Sequence, residues 1–180
     1  MVKKLIINWD TYNEAIDKLA VQISDSGFKP SFIICIARGG LRVGDILSRI
    51  FNVKCGYLGV ESYSALESGK ISDQQNELTF ARDLSTTSRD YGKNILVTDD
   101  LIDTGVTLEK TLSWLNEYPD FSKKNINFKS AVLYKKAKSK FNADYTVFKL
   151  NDNPWLVFPY ELRELVSISE LKEQLSKKKG

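Results

Sequence analysis

Apolar residues along this chain fall into two patterns. Short unbroken runs of mostly branched side chains alternate with stretches in which apolar positions return every three or four residues. The first pattern reads as buried strand and the second as amphipathic helix. Near the N-terminus Tyr12, Ile16, Leu19 and Ile23 recur at helical spacing. Asp10 is the expected N-cap there, Glu14 lies in the first turns and Gly27 is the stop. The run SFIICIA (31–37) reads as a strand. Val43, Ile46, Leu47 and Ile50 then mark the apolar face of a helix reaching about Phe51, and KCGYLGV (54–60) is the next strand. NILVTDD (94–100) reads as a third strand. VTLEKTLSWLNEY (106–118) follows as a helix with Leu108, Leu112 and Leu115 inward and Pro119 ending it. NFKSAVLYK (127–135) is a fourth strand. DYTVFKL (144–150) and WLVFPYE (155–161) are shorter apolar segments, and a polar helix is expected from about Glu161 before a solvated KKKG tail. From 61 to 93 the chain is polar without sustained period. A loop of that length in a compact domain is expected to be a lid or disordered.

Strands alternating with helices imply βαβ units and an α/β fold with a central, mostly parallel twisted sheet flanked by helices. Ligands of such sheets bind at the carboxyl ends of the strands. Three polar segments follow the buried strands directly: ARGG (37–40), TDDLIDTGVT (98–107) and YKKAK (134–138). They are far apart in sequence and are expected to converge in space.

Composition narrows the chemistry. A chain of 180 residues with 42% apolar and 27% charged residues suits one globular domain with a small appendage. The net charge of +3, with acids and bases interspersed, is too mild for a dedicated nucleic-acid binder. No apolar run approaches the roughly 20 residues that span a bilayer. The start, MVKKLIINWDTYNE, lacks the long apolar core and cleavage site of a signal peptide, so a cytoplasmic protein is expected. Cys35 and Cys55 sit in apolar runs without CxxC spacing and read as buried small hydrophobes. The chain has no histidine, so acid–base chemistry falls to carboxylates, lysine, tyrosine or the substrate.

TDDLIDTGVTLEK carries the densest chemistry. Gly105 permits a tight turn, Thr104 and Thr107 flank it with hydroxyls, and a helix beginning near Val106 presents unpaired N–H groups. That combination suits a phosphate. Asp99 and Asp100 would repel a phosphate and suit a cation or a diol. Read by itself, the segment is also compatible with a capped strand–turn–helix whose acids are solvated. GxxxxGK[ST] and GxGxxG are both absent, which weakens a nucleoside-triphosphate or dinucleotide reading.

ILVTDDLIDTGVTLEK resembles the phosphoribosyl pyrophosphate motif of the type I phosphoribosyltransferases: an apolar strand, two acids, two apolar residues, then Asp-Thr-Gly-x-Thr. IARGGLRVGDIL resembles that family's pyrophosphate loop, with Arg38, Gly39 and Gly40 at the sheet edge. ESYSAL resembles the Ser-Tyr pair, Ser62 and Tyr63, that opens the flexible lid. YKKA and NPWLVFPYE resemble the purine-binding segments of the 6-oxopurine members, especially the xanthine–guanine type. The resemblance runs from about Ser31 to Glu161.

It implies one phosphoribosyltransferase domain over 1–180, with a lid over 61–93 and a small purine-binding hood over about 136–165. The implied reaction moves the 5-phosphoribosyl group from phosphoribosyl pyrophosphate to N9 of xanthine or guanine, then hypoxanthine, with magnesium. Asp103, Thr104, Gly105, Val106 and Thr107 would hold the 5-phosphate, and Arg38 and Gly39 the pyrophosphate. Asp99 and Asp100 would take the ribose hydroxyls directly or through magnesium. Asp103 would accept the proton at purine N7. Lys135 would bond the 6-oxo group, Trp155 would stack on the base, and the Leu156 carbonyl would meet the group at C2. Glu161 stands where the family usually has an aspartate near a second magnesium. The family's lid arginine is replaced by Asn76 in QQNEL, leaving Lys70, Arg82 or Arg89 as substitutes. The resemblance also implies a dimer or tetramer. Two rival readings are a transferase for another base and a regulatory protein that keeps the phosphoribosyl pyrophosphate loop. The regulator would need a basic surface or an added DNA-binding module, and neither is evident in the sequence.

Overall fold

A computed structural model describes residues 3–62 and 78–177. By internal contacts the chain divides into two compact units. The larger is Ile16–Asn153, and the smaller joins Met1–Ala15 to Pro154–Gly180. The segment expected as a hood, about 136–165, is therefore shared, with 136–153 in the larger unit and the rest in the smaller.

The larger unit is built on a six-stranded sheet, counted among the described residues, in the order β4-β3-β2-β5-β6-β7. Its strands are β2 (Phe32–Ala37), β3 (Lys54–Ser62), β4 (Leu78–Phe80), β5 (Asn94–Ile102), β6 (Asn127–Lys135) and β7 (Tyr145–Lys149). All neighbours are parallel except β4, which runs antiparallel to β3 at the edge. The expected mostly parallel α/β sheet is thus observed. Residues Phe32 to Ile36 of β2 are all buried, as a strand covered on both faces requires.

Helix α2 (Gly40–Ile50) buries Gly40, Val43, Gly44, Leu47 and Ser48. Ile50, expected on that face, is exposed, because the buried positions fall at 40, 43, 44, 47 and 48 and leave 50 on the other side. Helix α3 (Val106–Glu117) covers the opposite face through Leu108 and Leu115. The apolar layer beneath it includes Phe32, Ile34, Ile95, Val97, Val132 and Phe121.

Helix α1 (Trp9–Asp25) starts one residue before the expected cap. Asn8, not Asp10, caps it: its Oδ1 accepts the Thr11 N–H at 2.8 Å. Gly27 ends the turn that follows with φ of 77°. Of the polar stretch 61–93 expected as a lid, 61–62 close β3, 78–93 carry β4 and two buried anchors, Leu84 and Tyr91, and 63–77 lie outside the described residues.

In the smaller unit β1 (Lys4–Ile6) pairs in parallel with β8 (Trp155–Val157). Tyr12 is fully buried there, with its ring edge-on to Phe158 and Tyr160 at 6.0 and 5.8 Å. The helix expected from Glu161 is interrupted. A short 3-10 helix (Glu161–Leu165) gives way to α4 (Ile168–Lys177), which opens on a capping box. Ser167 Oγ accepts the Glu170 N–H, while Glu170 Oε2 accepts the Ser167 N–H at 2.7 Å.

Candidate active site

Strand β5 runs two residues further than its sequence suggests, to Ile102, so Asp99 and Asp100 lie within the strand. Asp100 follows Leu96 and Thr98 toward the α2 side. A Cβ at Gly39 would collide with its carboxylate, which explains glycine there and places the acid directly against the Arg38-Gly39-Gly40 loop. Buried Thr98 braces the same place, its Oγ1 lying 3.4 Å from the Ile34 carbonyl and 3.5 Å from that of Gly40. Asp99 lies beside Asp100, close enough for the two carboxyl groups to act on each other directly. Burial, then the neighbouring Asp100 charge, push its carboxyl well above the usual range, although it accepts the Asp100 N–H at 2.9 Å.

After Ile102 the chain turns through Asp103, Thr104 and Gly105 into α3. Gly105 adopts φ of 97°, which a side chain would strain, and a Cβ there would collide with Phe141. Gly105 brings no side-chain cap to α3; the Val106 N–H reaches Thr104 Oγ1 at 3.4 Å, and exposed Thr104 and half-buried Thr107 flank the helix start. The segment after β6 packs under this turn. Ser139 Oγ donates to the Thr104 carbonyl at 3.0 Å. Lys136 Nζ meets Asp103 Oδ1 at 2.8 Å and Lys138 Nζ meets Oδ2 at 2.9 Å. Burial raises the Asp103 carboxyl, but these ammonium groups outweigh it and hold it below the ordinary value. Two segments thirty residues apart in sequence therefore form one polar cradle at the carboxyl edge.

Lys135, the last residue of β6, stands half-exposed with its Nζ donating to Asn142 Oδ1 at 2.5 Å. The resemblance points to Lys135 and leaves the Lys136–Asp103–Lys138 contacts unmarked. The signal was present in part: one residue beyond a strand end, alternation turns a side chain to the opposite face.

In the smaller unit Trp155 is 62% exposed, so its ring has a free face. Trp155 and Val157 carry the ladder to β1, through Trp155 N to Lys3 O at 2.8 Å and Ile7 N to Val157 O at 2.9 Å. In a parallel pair the intervening Leu156 carbonyl then points away from β1. Glu161 already uses Oε2 to accept the Phe158 N–H at 2.8 Å. Ser62 ends β3, while Tyr63, Lys70 and Asn76 lie outside the described residues. Arg89 lines a cavity of about 440 Å³ with Ser31 and Lys54, at the amino ends of β2 and β3. Arg82 lines another, of about 510 Å³, with Trp114, Glu117 and Tyr118 at the far end of α3. The structure places both arginines away from the ligand loops.

The phosphoribosyl transferase domain model matches residues 8–165. The chain belongs to the phosphoribosyl transferase domain family. The expected family and enzyme class are thereby borne out. A xanthine-guanine phosphoribosyltransferase of Idiomarina loihiensis is 27% identical over 161 residues, covering 89% of this chain and 88% of that protein. Among solved structures, the purine phosphoribosyltransferase of Pyrococcus horikoshii matches with a TM-score of 0.69 at 26% identity, over 88% of this chain and 94% of that one. The xanthine-guanine-hypoxanthine phosphoribosyltransferase of Helicobacter pylori matches with a TM-score of 0.72 at 26% identity, over 90% and 97%.

Proposed function

We propose that this protein transfers the 5-phosphoribosyl group from phosphoribosyl pyrophosphate to N9 of a 6-oxopurine, xanthine or guanine first and hypoxanthine next. The observation that carries the reading is the cradle at the carboxyl edge. The start of α3 behind Asp103-Thr104-Gly105 offers a phosphate its N–H groups and hydroxyls. Asp100 against the Arg38-Gly39-Gly40 loop offers acceptors to a diol or cation beside a cationic side chain for pyrophosphate. The names of the relatives support a purine as acceptor.

Magnesium fits the donor set. No group of three or more metal-ligating side chains occurs among the described residues. A hard cation bound through one or two carboxylates and substrate oxygens needs none. Asp99 and Asp100, costly as neighbouring acids, would hold it, and Glu161 stands where the family has a residue near a second magnesium. When bound, magnesium would neutralise charge developing on the pyrophosphate. Arg38 acts on the same leaving charge. Asp103 accepts the N7 proton as N9 attacks C1 of the ribose. Lys135, steadied by Asn142, donates to the 6-oxo group and has no acceptor for an adenine amino group. Trp155 stacks on the base, and the Leu156 carbonyl serves the C2 substituent.

A panel of purine and pyrimidine bases, assayed with phosphoribosyl pyrophosphate and magnesium, tests this. Nucleotide and pyrophosphate should appear with xanthine or guanine. Absence of pyrophosphate release with every purine rejects the reading.

A further inference from the structure

Both oxygens of Asp103 are occupied by lysines that neither the strand pattern nor the motif points to. Lys136 is only 8% exposed, so a long cationic side chain is buried against this acid. Lys138 closes the other oxygen from a more exposed position. The segment that carries them is held independently of charge, through Ser139 on the Thr104 carbonyl and Phe141 against Gly105. A carboxylate offers about four lone-pair sites, so two ion pairs leave acceptor capacity on each oxygen.

We propose that Lys136 and Lys138 are positioning residues for the transfer: they clamp the two oxygens of Asp103 so that its carboxylate meets the purine N7–H in a fixed orientation. The proposal rests on the reading of Asp103 as the N7 acceptor. The clamp supplies geometry, because an acceptor free to rotate loses most of the benefit of being in the site. It also supplies charge: beside two ammonium groups Asp103 stays ionised and ready for a proton, and returns that proton readily after the product forms. The charged groups facing it from the neighbouring segment are these two lysines, and both favour the anion.

The test follows the Asp103 carboxyl directly, by carbon NMR of protein labelled at aspartate carboxyls and assigned with Asp103→Asn, alongside steady-state kinetics. In Lys136→Met the Asp103 titration should move to higher pH, and further in the Lys136→Met, Lys138→Met double variant. The kcat of Lys136→Met should fall on the order of tenfold or more, and Lys136→Arg should restore most of it. Lys140→Met, which removes a charge from the same segment without touching Asp103, should change neither readout. Lys138→Met keeps the test available if the buried substitution unfolds the chain. An unchanged Asp103 titration in the lysine variants overturns the clamp. A moved titration with unchanged kcat overturns instead the acceptor role of Asp103 on which the proposal stands.

Discussion

The two ends of α3 are held by different physics. At its start, Asp103, Thr104 and Gly105 are fixed by ion pairs, one hydroxyl–carbonyl bond and the absence of a Cβ. At its far end, Trp114 stacks on Tyr118 at 4.7 Å and on Phe80 at 5.8 Å. Phe121 meets Tyr91, Tyr118 and Phe128 at 5.0, 5.6 and 5.5 Å. Open N–H groups at the first end await a ligand, and its charges are satisfied by one another. Rings at the second end supply stability and no chemistry. Substitutions at the two ends should therefore separate turnover from folding.

The largest expected effect is at the charged end. Asp103→Asn should lower kcat by about 10²- to 10⁴-fold, the range for loss of a general base. Calorimetric affinity for phosphoribosyl pyrophosphate should hardly move, and the melting temperature near neutral pH should fall modestly as Lys136 and Lys138 lose their counter-ion. Full activity in that variant would remove Asp103 from the chemistry.

At the aromatic end the sign of the comparison reverses. Phe121→Ala should cost about 3–5 kcal/mol of folding stability, read by urea unfolding, because a ring buried among three others leaves a cavity. The folded fraction should keep its kcat. A loss of kcat without loss of stability would mean that the two ends are coupled.

Gly39→Ala is the intermediate case. Its Cβ would press on Asp100 at the site while leaving the aromatic layer alone. The KM for phosphoribosyl pyrophosphate should rise about tenfold or more, since a misplacement near 1 Å is costly. Stability should fall by about 1–3 kcal/mol, as overpacking does.

These ends differed also in how far the sequence disclosed them. β2, β5 and β6 are continuous apolar runs, and Asp-Thr-Gly at the end of one of them is a local signal, so the sheet and the phosphate loop were legible. What was lost depends on contacts distant in sequence. β1 and β8 are three residues each and pair across some 150 positions, too short to show a period. Leu84 and Tyr91 are isolated apolar residues in a polar stretch, and only packing shows them to be anchors. Lys136 and Lys138 sit in a run that reads as a solvated face until the chain folds back under Gly105. Asp99 and Asp100 look equivalent on paper, whereas Asp100 is the one set against Gly39 and Asp99 the one whose carboxyl burial pushes up.

The smallest expected effect uses a carboxylate outside both ends, as a reference for acid sensitivity. Asp144 ties β6 to the start of β7: its oxygens meet Lys129 Nζ at 2.7 Å, the Ser130 N–H at 2.8 Å and Ser130 Oγ at 2.9 Å. Burial raises its carboxyl, but Lys129 and the Ser130 donors prevail and hold it below the ordinary value. A group depressed in the folded state contributes stability above its unfolded value and loses that contribution as pH falls through the folded one. Asp103 obeys the same sign. Asp144→Asn should therefore flatten the decline of melting temperature with acidification without touching kcat, by less than about 1 kcal/mol because the pair is partly exposed. Asp103→Asn should flatten the same decline while abolishing most turnover. If the two variants share the acid effect and differ only in kcat, the ion pairs at the site behave as ordinary structural pairs toward folding, and their additional consequence lies in where they hold the acceptor.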